Sequence, residues 1–321
     1  MGIFLSVVIP AYNEANNLEQ LIEELRGIFK SLPQISDYEV LIVDDHSSDG
    51  TFEKISALNR QDRKIRGIRP SRRSGSHSAL RAGIANAAGD ATFCLSADGQ
   101  DNPHALPEML AKMAQGVDLV WAIRRRREDP SFVMNFLHSF ARRIISLIAN
   151  PGEAGGLDLV NADLFLLNRK VTQAVNRCPE RNTSLVGLLM WLGFRQDAVV
   201  YERRDRFQGI SKWTFRAKWR FFKDWVIAFS GVPLKMISVL GLLMSGLGFL
   251  YAVFVVIYRL LGFGLPGWAE IVVLVLVIGG VQMLMLGVAA EYLWRNLDEA
   301  RSRPLYFIEQ ATEKEYETAQ N

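Results

Sequence analysis

Val7-Val8-Ile9-Pro10-Ala11-Tyr12-Asn13-Glu14 and, further along, Val40-Leu41-Ile42-Val43-Asp44-Asp45-His46-Ser47-Ser48-Asp49-Gly50-Thr51 decide the fold. Each is a strand-length apolar run that stops at a turn of polar side chains. The runs are continuously apolar and not alternating, which marks strands buried on both faces, as in a parallel sheet. Between them, Leu18, Leu21, Ile22, Leu25, Ile28 and Phe29 fall at helical spacing within residues 16–32. Ser48-Asp49-Gly50-Thr51 reads as a turn and helix start, with Asp49 as turn or cap residue. Working outward, residues 78–88 are helical, 91–95 strand-like, 103–114 helical and 117–122 strand-like. Strand–helix alternation implies right-handed crossovers and a parallel sheet. The first half is therefore α/β, of the nucleotide-binding kind.

In an open α/β sheet, ligands bind outside the carboxyl ends of the strands. Tyr12 and Glu14 follow the first strand there. Asp44 and Asp45 end the second, where two acids can hold a ribose or a base edge. Ser96-Ala97-Asp98-Gly99-Gln100-Asp101 follows the strand at 91–95. Oxygen ligands on a loop suit Mg²⁺ or Mn²⁺, which completes its shell with diphosphate oxygens and water.

The second half has a different character. Hydrophobic residues make up 49% of the chain, and they concentrate near the C-terminus. Residues 236–258 and 271–290 carry no charge, and about 20 apolar residues span a bilayer core as a helix. The two runs, joined by a short Gly/Pro loop at 262–267, read as a membrane hairpin. Lys212, Arg216, Lys218, Arg220, Lys223 and Lys235 precede the first run, Arg295, Arg301 and Arg303 follow the second, and the loop side has only Arg259. The positive-inside bias puts both ends in the cytoplasm. Two stretches mix apolar and basic residues: 132–149, with Arg142 and Arg143, and 213–229, with Trp213, Trp219 and Trp225. The second, directly before a span, suits a helix lying in the headgroup region; the first fits an interfacial helix and a core helix equally.

Other features narrow the field. A net charge of +3 gives no reason to expect nucleic acid. Two cysteines are too few for a disulfide scaffold and read as reduced thiols. The apolar stretch at 3–10 lacks a basic lead and ends in proline, so it reads as a strand and not as a signal peptide. His46, His77, His104 and His138 show no metal spacing. The run Arg124–Arg127 is mostly a solvated basic face, and only Arg124 is assigned a site role. Spans with almost no polar residue apart from Gln282 do not suit a channel. Gly279-Gly280 and Gly287 offer small surfaces for helix packing, and so for a homo-oligomer.

The three loop motifs, in this order, resemble those of the family-2 inverting glycosyltransferases of the GT-A fold. The resemblance continues through Arg72, Gly75, Ala79 and Gly83, then Arg124, Ala162-Asp163, Glu180-Arg181-Asn182, the late basic segment with Arg206, Gly209, Ser211 and Lys212, and finally Glu291-Tyr292 and Arg303-Pro304-Leu305-Tyr306. With two spans, the chain looks like the polyprenyl-phosphate glycosyltransferases, the group that contains dolichol-phosphate mannose synthases and bacterial bactoprenol glucosyltransferases. The resemblance implies that Pro10, Tyr12, Glu14, Val43 and Asp45 hold the nucleoside. It implies that Asp98 and Gln100 ligate Mg²⁺ or Mn²⁺, and that Asp98 and Arg124 belong to the donor site. Arg124, Arg206 and Lys212 would face phosphates, and Asp163 would be the acceptor-side carboxylate. The chain departs from the family pattern at Ser96, where an Asp is usual, at Gly99 for Leu, at Arg73 for Asn and at Phe165 for Arg.

The expected organisation is a GT-A catalytic domain at 1–212, an interfacial helix at 213–232, two transmembrane helices at 233–294 and a cytoplasmic tail at 295–321. The expected protein sits in the bacterial inner membrane among its lipids. It transfers one sugar from a UDP- or GDP-linked donor to a polyprenyl phosphate with inversion. Two alternatives are the same fold acting on another lipid-linked acceptor, and a non-catalytic membrane scaffold, which Ser96 would favour.

Overall fold

The computed structural model describes residues 2–124, 162–181, 183–202, 204, 232–261 and 267–312. The stretches 132–149 and 213–229, Arg206, Lys212 and most of the 262–267 loop lie outside them. The chain divides into two units, Met1–Thr214 with Pro304–Asn321, and Phe215–Arg303.

The first unit is built on one eight-stranded sheet. Its strands are β1 (Ile3–Ala11), β2 (Ile35–Asp44), β3 (Ile65–Pro70), β4 (Ala91–Cys94), β5 (Leu119–Arg124), β6 (Ala162–Asn168), β7 (Gln196–Tyr201) and β8 (Ile308–Ala311). Their order is β7-β5-β6-β4-β1-β2-β3-β8. β1 runs parallel to β2 and β4, β2 to β3, and β5 to β7, while β6 and β8 are antiparallel to their neighbours. The mostly parallel α/β sheet read from the sequence is therefore present. β3, β6, β7 and β8 have no counterpart among the strands read from it.

The helices of this unit are α1 (Leu18–Lys30), α2 (Thr51–Gln61), α3 (Ser76–Ala85), α4 (Leu106–Ala114, preceded by a 3-10 turn at Pro103–Ala105), α5 (Arg169–Asn176) and α6 (Leu185–Trp191). α1 shows why they form. Its six helix-spaced apolar residues, Leu18 to Phe29, are all buried, and each contributes roughly 1.5–3 kcal/mol relative to exposure. α3 approaches the sheet so closely that a Cβ on Gly83 would stand 2.2 Å from Val8 Cγ1 and 3.2 Å from Val43 Cγ2.

The second unit holds α7 (Val232–Leu260) and α8 (Trp268–Ala300). The windows Met236–Tyr258 and Val277–Ala300 are long and apolar enough to cross a membrane, and neither is buried. Leu242, Phe249, Leu260 and Met283 each show more than two thirds of their surface. Apolar surface on this scale is stable only in an apolar surrounding.

Candidate active site

Sheet register sets the site. Pro10 pairs with Val43 and Ala11 with Asp44, so β1 and β2 end side by side and release their turns together. The turns are stitched to each other. Asp45 N–H donates to Ala11 O at 2.8 Å, Asn13 N–H to Ser47 Oγ at 2.8 Å, Ser48 N–H to Asn13 Oδ1 at 2.9 Å, Glu14 N–H to Thr51 Oγ1 at 3.1 Å and Ala15 N–H to Asp49 Oδ2 at 3.2 Å. Asn13 and His46 both have positive φ, 55° and 61°, a conformation that Asn and His tolerate better than most residues. Asp49 also accepts from the N–H of Thr51, the first residue of α2, which is the turn role of the two expected of it, since the N-cap of α2 is Gly50. Burial pushes the Asp49 carboxyl up, but its hydrogen bonds from Thr51 and Ala15 outweigh this and hold it below its usual range.

Asp45 is nearly closed off from solvent, at 4% exposure. It accepts from Ser74 N–H at 2.7 Å and from Gly75 N–H at 2.9 Å, at the start of α3. Burial raises its pKa, partly offset by those bonds and by Arg73. Gly75 has φ +89°, a conformation open to glycine at little cost. Asp45 thus joins the turn after β2 to the start of α3. Arg73, on the same loop, lies 3.8 Å over the Tyr12 ring. Val43 is fully buried and faces α3, so its side chain is closed to a ligand. Asp44 is fully buried too. It accepts from Ser47 N–H at 3.0 Å and pairs with Arg69 Nη1 at 3.1 Å, and Arg69 also donates to Ser47 O.

The third turn follows β4, which lies beside β1: Leu95 N–H donates to Val8 O at 3.2 Å. Within it Ser96 Oγ donates to Asp98 Oδ1 at 2.8 Å, Gln100 N–H donates to the same oxygen at 3.1 Å, and Ser96 N–H donates to Asp101 Oδ2 at 2.7 Å. Ser96 therefore orients the Asp98 carboxylate. Gly99 has φ +73°, which explains a glycine in place of the family's usual leucine. Among the described residues no three His, Cys, Asp or Glu side chains gather as a metal cluster.

Arg204 N–H donates to Gln100 O at 3.1 Å, and its guanidinium meets Glu24 of α1 at 2.5 Å. Arg81 of α3 donates to Glu180 O at 2.5 Å and to Cys178 O, holding the segment before Arg181 and Asn182. Asp163 lies in β6 where the register against β5 slips, since Ala122 pairs with Leu164 and Ile123 with Ala162. Arg124 ends β5 opposite Tyr201.

Sequence reasoning did not single out Glu24, Arg69 or Arg204. Arg204 carries one signal, standing two residues before Arg206; Arg69, in β3 between β2 and β8, carries none.

The model of the family described as "Glycosyl transferase family 2" matches residues 6–175. The chain belongs to glycosyl transferase family 2. An uncharacterized glycosyltransferase of Synechocystis sp. is 37% identical over 98% of this chain and 98% of its own length. A bactoprenol glucosyl transferase of Shigella phage SfV is 30% identical over 97% of this chain and 99% of its own. The solved structure of mannosyl-3-phosphoglycerate synthase from Rubrobacter xylanophilus aligns with a TM-score of 0.50 and 20% identity, over 73% of this chain and 74% of that one. That likeness is one of fold, the GT-A fold of the family. The matched region contains all three turns.

Proposed function

We propose that this glycosyltransferase moves a single sugar from a nucleoside-diphosphate sugar to a polyprenyl phosphate, inverting the anomeric carbon. One observation carries the reading. The phage bactoprenol glucosyl transferase matches 97% of this chain, so the likeness takes in both the α/β sheet and the two apolar helices.

In the proposed reaction an oxygen of the lipid phosphate attacks the anomeric carbon. The bond from that carbon to the diphosphate breaks, and its electron pair leaves with the nucleoside diphosphate. A phosphate monoester has a second pKa of about 6, so the nucleophile is already ionised at neutral pH and needs little base assistance. Alignment of two anions and stabilisation of the leaving group are the harder parts.

Pro10, Tyr12, Glu14, Asp45 and the main chain of Val43 take the nucleoside in this reading. The donor, UDP- or GDP-linked, lies across the stitched turns. Arg124, Arg206 and Lys212 face phosphate, and Asp163 orients acceptor or sugar. The donor set around Asp98 fits a divalent ion. A single oriented carboxylate with the Gln100 amide leaves room for the diphosphate oxygens and waters that Mg²⁺ and Mn²⁺ favour. Such an ion, held by Asp98 and Gln100, would offset charge on the leaving diphosphate.

The protein is proposed to sit in the bacterial inner membrane, in contact with its lipids and with the sheet in the cytoplasm. β8 follows the second apolar helix and yet pairs with β3. Chain on both sides of the helix pair thus reaches one sheet, as two crossings require and one forbids.

The test supplies purified full-length protein with a panel of UDP- and GDP-sugars and either polyprenyl phosphate or a water-soluble alcohol. Transfer to the lipid phosphate with inverted configuration is expected. Transfer to the alcohol alone would sink the acceptor assignment and leave the family standing. Arg206→Ala and Lys212→Ala are each expected to lower turnover on the lipid.

A further inference from the structure

β8 is an unusual strand. All four of its residues are exposed, as is most of Phe307 before it, so it adds little to the core. Main-chain bonds and one side chain hold it. Ile68, Arg69 and Pro70 pair with Ala311, Gln310 and Ile308. Ser71 N–H donates to Phe307 O at 2.8 Å, Thr312 N–H donates to Gly67 O at 3.0 Å, and Gly67 N–H donates to Thr312 Oγ1 at 2.8 Å. A Cβ on Gly67 would stand 2.6 Å from Ile55 and 3.2 Å from the Thr312 methyl, so glycine permits this approach. From β8, Glu309 Oε2 lies 3.8 Å from His46 Nδ1 and 4.0 Å from Arg69 Nε. Arg69 in turn grips Asp44 and the Ser47 carbonyl, and His46 Nδ1 lies 3.3 Å from Pro70 O. The turn at 44–47 is thus braced from outside by Arg69, and Arg69 and His46 are both met by Glu309.

We propose that the strand after the second apolar helix is a positioning element of the donor site, with Glu309 acting through Arg69 and His46 to hold the 44–47 turn in its nucleotide-binding shape. The inference rests on the reading of that turn as the nucleoside site. A plainer role for β8 would be to cover the open edge of β3, as edge strands often need. Main-chain pairing alone would serve that role, and Glu309 would then be dispensable. The two roles therefore differ in what loss of one carboxylate does.

The experiment uses full-length protein in detergent with Glu309→Gln and Thr312→Val. UDP and GDP binding are measured by calorimetry in Mn²⁺, amide exchange is followed at residues 45–48, and the thermal midpoint is recorded. Exposed ion pairs of this kind shift equilibria about two- to fivefold. Glu309→Gln is expected to weaken nucleotide binding by that factor and to speed exchange at 45–48, with an unchanged thermal midpoint and an unchanged KM for the lipid. Thr312→Val is expected to do the same by loosening the strand. Wild-type affinity and wild-type exchange in Glu309→Gln would overturn the inference while leaving the donor reading intact. Wild-type protein that bound neither nucleotide would overturn the donor reading, and the inference with it.

Discussion

The main-chain N–H of Arg204 donates to the carbonyl oxygen of Gln100 at 3.1 Å, so chain that has just left β7 is pinned to the loop that carries Asp98. Glu24 completes the arrangement by taking the Arg204 guanidinium at 2.5 Å, with His104 Nε2 3.4 Å from the same carboxylate oxygen. Glu24 thereby helps hold the chain after β7 against the 96–101 turn. Glu24→Ala is expected to lower kcat severalfold while destabilising the fold by no more than about 1 kcal/mol, the usual scale for a part-exposed ion pair. Steady-state kinetics beside thermal unfolding of the same sample checks it. A stability loss that accounted for the whole activity loss would contradict a positioning role.

Asp98 is the one acid of its loop that is oriented by both Ser96 Oγ and Gln100 N–H. Asp98→Ala and excess chelator are each expected to remove most turnover, by on the order of 10²–10³-fold for the substitution. Ser96→Ala removes the hydroxyl that orients the carboxylate while leaving the carboxylate itself, and is expected to cost less than Asp98→Ala. The apparent affinity for Mn²⁺, read from activity titrations, should weaken in Ser96→Ala. Full activity of the wild type in chelator would contradict the metal assignment.

His77 gives the fold an acid limit. It lies in the first turn of α3, and its Nδ1 is shielded from solvent although the residue as a whole is only half-buried. Burial lowers its pKa to about 4, below the ~6.5 of an unfolded chain. The unfolded state therefore binds the proton more tightly. This stability is fully present above pH ~6.5 and is lost as pH falls toward 4. The loss is about 1–3 kcal/mol, given 1.36 kcal/mol per pKa unit and some solvent screening. His77→Gln is expected to flatten thermal midpoint against pH between 6.5 and 4. An unchanged slope would refute it.

Gly83→Ala tests the packing that brings α3 to the site. The added methyl would meet Val8 and Val43, both fully buried in strands that cannot retreat without disturbing their turns. Overpacking of this kind costs about 1–3 kcal/mol. Weaker nucleotide binding should accompany the lower thermal midpoint, because Asp45 is fastened to the start of the same helix. Binding can be compared by calorimetry below the unfolding range.

Much of this protein is legible in local sequence. Continuous apolar runs disclose β1, β2 and β4 because strands covered on both faces have no polar side to show. Helical spacing discloses α1, whose six apolar residues are all buried, and charge-free length discloses α7 and α8. The three turn motifs stand out because a strand end, an acid and a turn-forming residue fall together in a few positions. All of these signals are local, carried by residues close in the chain.

Tertiary structure decided what depends on distant pairs. β8 is four exposed residues, Ile308–Ala311, with no apolar periodicity to reveal it, and it exists because β3 offers an unpaired edge. Arg69 and Glu24 look like ordinary surface charges until folding sets them against Asp44 and Arg204. Asp45 reads as a ligand-binding acid, and only the packed α3 shows it accepting two main-chain N–H groups. A sequence displays periodicity and turn chemistry because each is a property of neighbours. Which strand edge is left open, and which charge lies opposite which, are set by chain crossings that place residues far apart in sequence within hydrogen-bonding distance.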